Sequence, residues 1–146
     1  MNLKAASLLG LGIALAGVIY LVNKNYLISK NPIAIAIQLP SIALMIWARI
    51  TFGMRSFHAT ANATKGGLVT HGPYHWLRHP IYASLIYFFS SCIIAFPFIQ
   101  TIGAVCLIIL GLYIRMMLEE KFLVIEYGDT YLNYCKKAKR IVPFIF

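Results

Sequence analysis

The 146-residue chain is 60% hydrophobic, has a mean hydropathy of +0.77 and carries only 12% charged residues. Soluble domains carry about 25% charged residues, so a water-soluble globule is excluded and a bilayer is the expected solvent. The net charge of +9 would suggest nucleic acid in a soluble chain; here the basic residues flank apolar runs, and no basic, aromatic-lined surface is visible, so no nucleic-acid partner is expected.

In chain order, no charge interrupts the stretch between Lys4 and Lys24, which predicts a first transmembrane helix over about Leu3–Val22. Ala6, Gly10, Ala14 and Gly17 fall near one face, a spacing that lets another helix approach closely, although ordinary membrane composition also produces it. Lys4, the apolar run and Ala14-Leu15-Ala16 resemble a secretory signal; the run continues to Val22, so a retained helix is the expectation. A second uncharged stretch between Lys30 and Arg49 predicts a helix over about Ile33–Phe52, kinked at Pro40. Arg49 and Arg55 at its end should lie at the membrane surface or in a polar pocket. From Arg78 to Arg115 no Lys, Arg, Asp or Glu occurs, which is room for two spans with Pro97 between them. Helices over about Pro80–Ala95 and Phe98–Leu118 with a hairpin at Phe96–Gln100 follow. Backbone polar groups at this depth need internal partners, so helices are the expected form.

The fold expected is all-α: an integral membrane bundle of about four transmembrane helices, with a cytoplasmic loop and a C-terminal amphipathic helix around Asp129–Ala138. Residues 1–146 are read as a single membrane domain. Within it, 1–56 hold two N-terminal helices, 57–79 a cytoplasmic cofactor loop, 80–118 the helical hairpin and 119–146 a cytoplasmic tail. Most basic residues fall on one side of such a bundle, and only Lys24 and Lys30 on the other. The positive-inside rule then places both termini and the 53–79 loop in the cytoplasm. The short chain and compact loops point to a bacterial or archaeal cytoplasmic membrane.

Polar residues that persist in so apolar a chain are functional candidates. His71, His75 and His79 are spaced as in HxxxH metal sites, but Gly72-Pro73 and Pro80 interrupt the helix needed to align them, so no metal is assigned. Cys92, Cys106 and Cys135 fit neither a metal knuckle nor a disulfide framework. Arg115 and Glu119 are four residues apart and share a helix face, with Glu120 beside them. The tail alternates Tyr127, Tyr131 and Tyr134 with Lys136, Lys137, Lys139 and Arg140, which are expected anchors at an anionic lipid surface.

Three blocks together carry a resemblance. Gly72-Pro73-Tyr74-His75-Trp76-Leu77-Arg78-His79-Pro80-Ile81-Tyr82 is similar to the GPYxxxRHPxY signature of the isoprenylcysteine carboxyl methyltransferase and phospholipid methyltransferase superfamily. Arg115-xxx-Glu119-Glu120 resembles its RxxxEE signature, and Tyr127-Gly128-xx-Tyr131-xx-Tyr134 with Arg140-xx-Pro143 its tail. They stand in family order and cover about Leu68–Pro143. The resemblance implies an S-adenosyl-L-methionine-dependent membrane methyltransferase. Its cofactor would be held by Gly66, Gly67, Leu68, Val69, Tyr74, His79, Pro80, Ile81, Tyr82 and Glu119, and Arg115 would face the methyl acceptor.

These residue types suit that chemistry. Aromatic rings can pack on adenine or beside a sulfonium, and a carboxylate can pair with an ammonium or accept ribose hydroxyls. Pro80 at a helix start leaves amide N–H groups for a carboxylate. A carboxylate acceptor needs only a cation such as Arg115 to place it, whereas an amine or thiol acceptor needs a base, for which Glu120 or a histidine is the candidate. The partners expected are a lipophilic or small-molecule methyl acceptor and membrane lipids, with oligomeric state open. The competing readings are a non-catalytic membrane scaffold or carrier that retains the fold, and a His-liganded metal oxidoreductase.

Overall fold

The computed structural model describes residues 3–53 and 67–143. Among the described residues, four helices form the bundle: α1 (Leu3–Asn23), α2 (Pro32–Phe52), α3 (Pro80–Ala95) and α4 (Ile99–Lys137). A short 3-10 turn, Gly72–His75, precedes α3. The helix limits lie within a residue or two of those read from charge and proline placement, except at the end of α4.

Local chemistry explains the boundaries. The side chain of Asn31 caps α2 by accepting from the amides of Ile33 and Ala34, and Pro32 occupies the first turn, where its missing N–H costs nothing. α2 runs unbroken through Pro40, which cannot donate to the Ala36 carbonyl. Phe96-Pro97-Phe98 separates α3 from α4, and Phe96 stacks on Tyr26 with ring centroids 4.6 Å apart, tying this turn to the α1–α2 connection.

α1 packs along α4, α4 against α3, and α3 against α2, giving the spatial order α1, α4, α3, α2. The small face of α1 meets α4 directly. A Cβ on Gly111 would lie 2.3 Å from the Gly10 carbonyl oxygen and 2.6 Å from the Ala14 nitrogen, so the two backbones touch only because both glycines lack side chains. Ala14, Leu21, Phe89, Val105, Ile108 and Leu112 form the main core between α1, α3 and α4.

Many large apolar side chains point outward: Leu15 and Ile19 on α1, Leu39, Ile42 and Ile46 on α2, Ile99 and Leu110 on α4. In water this surface would be untenable; against lipid it is the favoured face. α1, α2 and α4 are long and apolar enough to cross a membrane, and α3 is a shorter apolar helix. α4 has 39 residues, so it is about 58 Å long against a hydrocarbon thickness of about 30 Å. Its apolar part, from Ile99 to Leu118, suffices to span. The remainder projects beyond the bilayer and bends at Gly128 (φ 49, ψ −127), so the expected amphipathic tail helix is the second limb of α4.

Candidate active site

The start of α1, the end of α2, the start of α3 and the Arg115–Glu120 turn of α4 all meet at one end of the bundle. The Arg115 guanidinium donates to the Ser7 carbonyl at 3.4 Å, which links α4 to α1 there. Arg115 is 8% exposed, an unusual burial for a cation and one that requires partners.

One group that acts on it comes from α3. The Tyr82 phenol lies beside both the Glu119 carboxylate and the Arg115 guanidinium, close enough for each to act on it. Helical spacing puts Arg115 and Glu119 on one face of α4, and the Pro80 start of α3 sets Tyr82 opposite them. Two blocks far apart in sequence therefore converge on one polar cluster inside an apolar bundle.

Tyr74 joins this cluster from the loop. It is buried in the 3-10 turn, with its ring 5.5 Å from Phe52 and packed with Val69 and Ile81. Burial raises its phenol above the ordinary value, with the charges of Glu119 and Tyr134 adding to the rise and Arg49 opposing it. Arg49 at the end of α2 thus faces the same region. Gly72 makes the turn possible: it has φ +60, and a Cβ there would sit 2.7 Å from Thr51 Oγ1.

Of the remaining candidates, Val69 is buried against Tyr74, while Leu68 packs on the Tyr131–Tyr134 cluster of the tail. Gly67 is exposed with φ 86. Pro80 is buried at the first turn of α3. Gly66 lies outside the described residues. The histidines do not share a face: His71 and His75 are exposed, and His79 is buried. No group of three or more His, Cys, Asp or Glu able to hold a metal occurs among the described residues.

Beside the cluster lies a second, ionic one centred on Glu120. Arg140 donates from Nε to Oε1 at 3.1 Å and from Nη2 to Oε2 at 2.8 Å, a two-pronged pair. His79 Nε2 lies 3.1 Å from Oε1 and Arg78 Nη1 3.4 Å from it. Burial alone would raise the Glu120 pKa, but the hydrogen bonds from His79 and Arg140 and the charges of His79 and Arg78 outweigh it and bring it down to about 2.

That ion cluster closes a strap. The tail runs back across the 74–79 loop: the Arg78 amide donates to the Lys139 carbonyl (2.6 Å), the His79 amide to Arg140 (3.1 Å) and the Lys139 amide to Trp76 (2.9 Å). The Tyr134 hydroxyl donates to the Tyr74 carbonyl at 2.6 Å, and the Tyr87 hydroxyl to the Ile141 carbonyl. The loop that carries Tyr74 and His79 is thus held between α4 and the C-terminal strap. Arg78 and Arg140 were not singled out as site residues from sequence, and no spacing rule connects Arg140 to Glu120 across a kinked helix.

His79 directs its ring to Glu120, and its side chain does not cap the first turn of α3. An uncapped helix start, a carboxylate, a guanidinium and two phenols therefore surround one region at the membrane boundary. Such an arrangement, in a bundle with three helices long and apolar enough to cross a membrane, defines an integral membrane protein with a polar cluster at one end. The phospholipid methyltransferase family model matches residues 33–130, more than half of the chain, and the chain belongs to that family. It is a membrane methyltransferase in the general sense the family defines. Comparison with curated proteins and with solved structures returns no match.

Proposed function

We propose that the chain transfers a methyl group from S-adenosyl-L-methionine to a lipophilic or small acceptor at the cytoplasmic face of a prokaryotic membrane. The observation that carries this reading is the meeting of Tyr82 with Glu119 and Arg115. The residues present suit the cofactor. Its amino-acid carboxylate matches the uncapped α3 amides, its ammonium or ribose matches Glu119, and Tyr74 offers a flat apolar surface. S-adenosyl-L-methionine supplies an electrophilic methyl on a sulfonium. The protein's part is to hold the acceptor in line with that methyl and to exclude water.

In this reading Gly66–Val69, Tyr74, His79–Tyr82 and Glu119 bind the cofactor. Arg115 holds the acceptor, its guanidinium kept in place by the Ser7 carbonyl and Tyr82. Glu120, held at a pKa of about 2, is a poor proton acceptor near neutral pH and acts as a positioning residue that fixes His79 and the loop. The concentration of basic residues at the site's end of the bundle supports a cytoplasmic orientation.

The test is transfer of label from methyl-labelled S-adenosyl-L-methionine to acceptors of each class, presented to the purified protein in lipid. Transfer to a carboxylate, amine or thiol acceptor is expected, and it should fall by a hundredfold or more in Arg115→Ala, on the order of the loss when one charge-stabilising donor is removed. Absence of transfer to all three classes would count against the proposal.

A further inference from the structure

On the far side of α4 from the cluster lies an open groove of about 650 Å³, within the range of about 300–1,000 Å³ usual for ligand sites. Its walls are the two limbs of α4, with Met117, Lys121, Val124 and Ile125 before the Gly128 bend and Tyr131 and Leu132 after it, joined by Arg78 and Glu120 of the ion cluster. At about 3.6 residues per turn, Met117, Lys121 and Val124 point away from Arg115 and Glu119, so the groove lies across the helix from those two residues and meets the ion cluster through Arg78 and Glu120.

We propose that this groove is a binding site for one anionic phospholipid of the adjacent leaflet, a resident lipid separate from the methyl acceptor. The inference goes beyond the proposed function and does not depend on it. Three observations carry it. First, the groove continues the lipid-facing surface of α4: Ile99, Leu110 and Tyr113, all exposed, lie along the same side of the helix that leads to Met117 and Val124. Second, it stays apolar past the end of the spanning segment, with Ile125 73% and Leu132 46% exposed. Ile125 lies about 10 Å along the helix beyond Leu118, near the level of a lipid's glycerol, and Leu132 follows after the Gly128 bend. Third, its charge is complementary to a phosphate. Lys121 and Arg78 both line it, two cations against the single carboxylate of Glu120.

Two polar atoms at the same wall are left short of partners. The Arg78 Nε is buried without a hydrogen bond. The Tyr131 hydroxyl, in a side chain 2% exposed, has no oxygen or nitrogen partner among the described residues, only the weak Cys135 thiol beside it. Arg78, Tyr131 and Lys121 all line the groove.

The full chain is reconstituted in nanodiscs holding equal phosphatidylglycerol and phosphatidylcholine, and the lipid that stays bound on release is weighed by native mass spectrometry. Phosphatidylglycerol should be retained about fivefold over phosphatidylcholine, the factor expected from roughly one basic side chain near the surface. Lys121→Glu should abolish that preference. Leu132→Trp, which fills the groove, should reduce retention of both lipids. Both variants should keep helical content and affinity for S-adenosylhomocysteine at wild-type levels. Equal retention of the two lipids by wild type, or unchanged retention in both variants, overturns the proposal. A lipid-free two-chain species would overturn it too, by assigning the groove to a second copy.

Discussion

The phenol of Tyr82 lies beside both Glu119 and Arg115 and so brings the start of α3 to the polar turn of α4. Removing only its hydroxyl leaves the ring and its 5.6 Å contact with His79 in place. Tyr82→Phe should lower kcat/KM about tenfold to a hundredfold, the range for a lost hydrogen bond to a charged group. Steady-state kinetics checks this; unchanged kinetics would remove Tyr82 from the site.

Glu119 and Arg115 should separate binding from turnover. Glu119→Gln keeps the shape but loses the charge offered to the cofactor, so its affinity for S-adenosylhomocysteine should fall at least tenfold. Arg115→Lys keeps a charge but loses the planar fork, so cofactor affinity should hold while kcat falls. Calorimetry together with initial rates distinguishes the two.

The ion cluster should govern stability. Glu120→Ala leaves Arg140, Arg78 and His79 facing an apolar wall, and breaking such a pair costs about 3–5 kcal/mol. Thermal unfolding in detergent should show a lower Tm. Arg140→Lys, which retains charge but not the two-pronged pair, should lose less. Accelerated proteolysis of the tail in both variants would report release of the strap.

The same cluster sets an acid limit. The Glu120 pKa falls from 4.5 to about 2 in the folded chain, so its stabilisation is complete above about pH 4.5. It is lost progressively as pH falls from there through 2. Stability measured between pH 7 and 2 should decline in that window for wild type. The decline should be shallower in Glu120→Gln, which starts from a lower plateau.

The α1–α4 contact offers a prediction independent of the chemistry. Gly111→Val would press a branched side chain into the Gly10 carbonyl and Ala14. Overpacking of this kind costs about 1–3 kcal/mol. A lower Tm with cofactor affinity retained is expected.

Much of the architecture was legible because charges and prolines mark its edges. Lys24, Lys30 and Arg49 frame the first two helices, Pro80 begins the third and Pro97 divides the hairpin. That Arg115 and Glu119 share a helix face was legible from helical spacing, and their meeting with Tyr82 was implied only by the family resemblance. Other features depend on tertiary structure. α4 continues past Leu118 because Glu119–Tyr127 contains good helix formers and no Gly or Pro, although its apolar run has ended. The Gly128 bend then returns Arg140 to Glu120, and neither that contact nor the groove between the two limbs has a local sequence signature. Arg49 was legible as a boundary charge; its placement towards Tyr74 came from the packing of α2 on the loop.

The central claim is that the polar end of this bundle holds a sulfonium nucleoside, and equilibrium binding tests it most directly. S-adenosylhomocysteine titrated calorimetrically into the folded wild-type protein in detergent should bind at one site per chain, and Glu119→Gln should weaken that binding at least tenfold. No heat of binding to wild type, or equal affinity in the two proteins, would contradict the account.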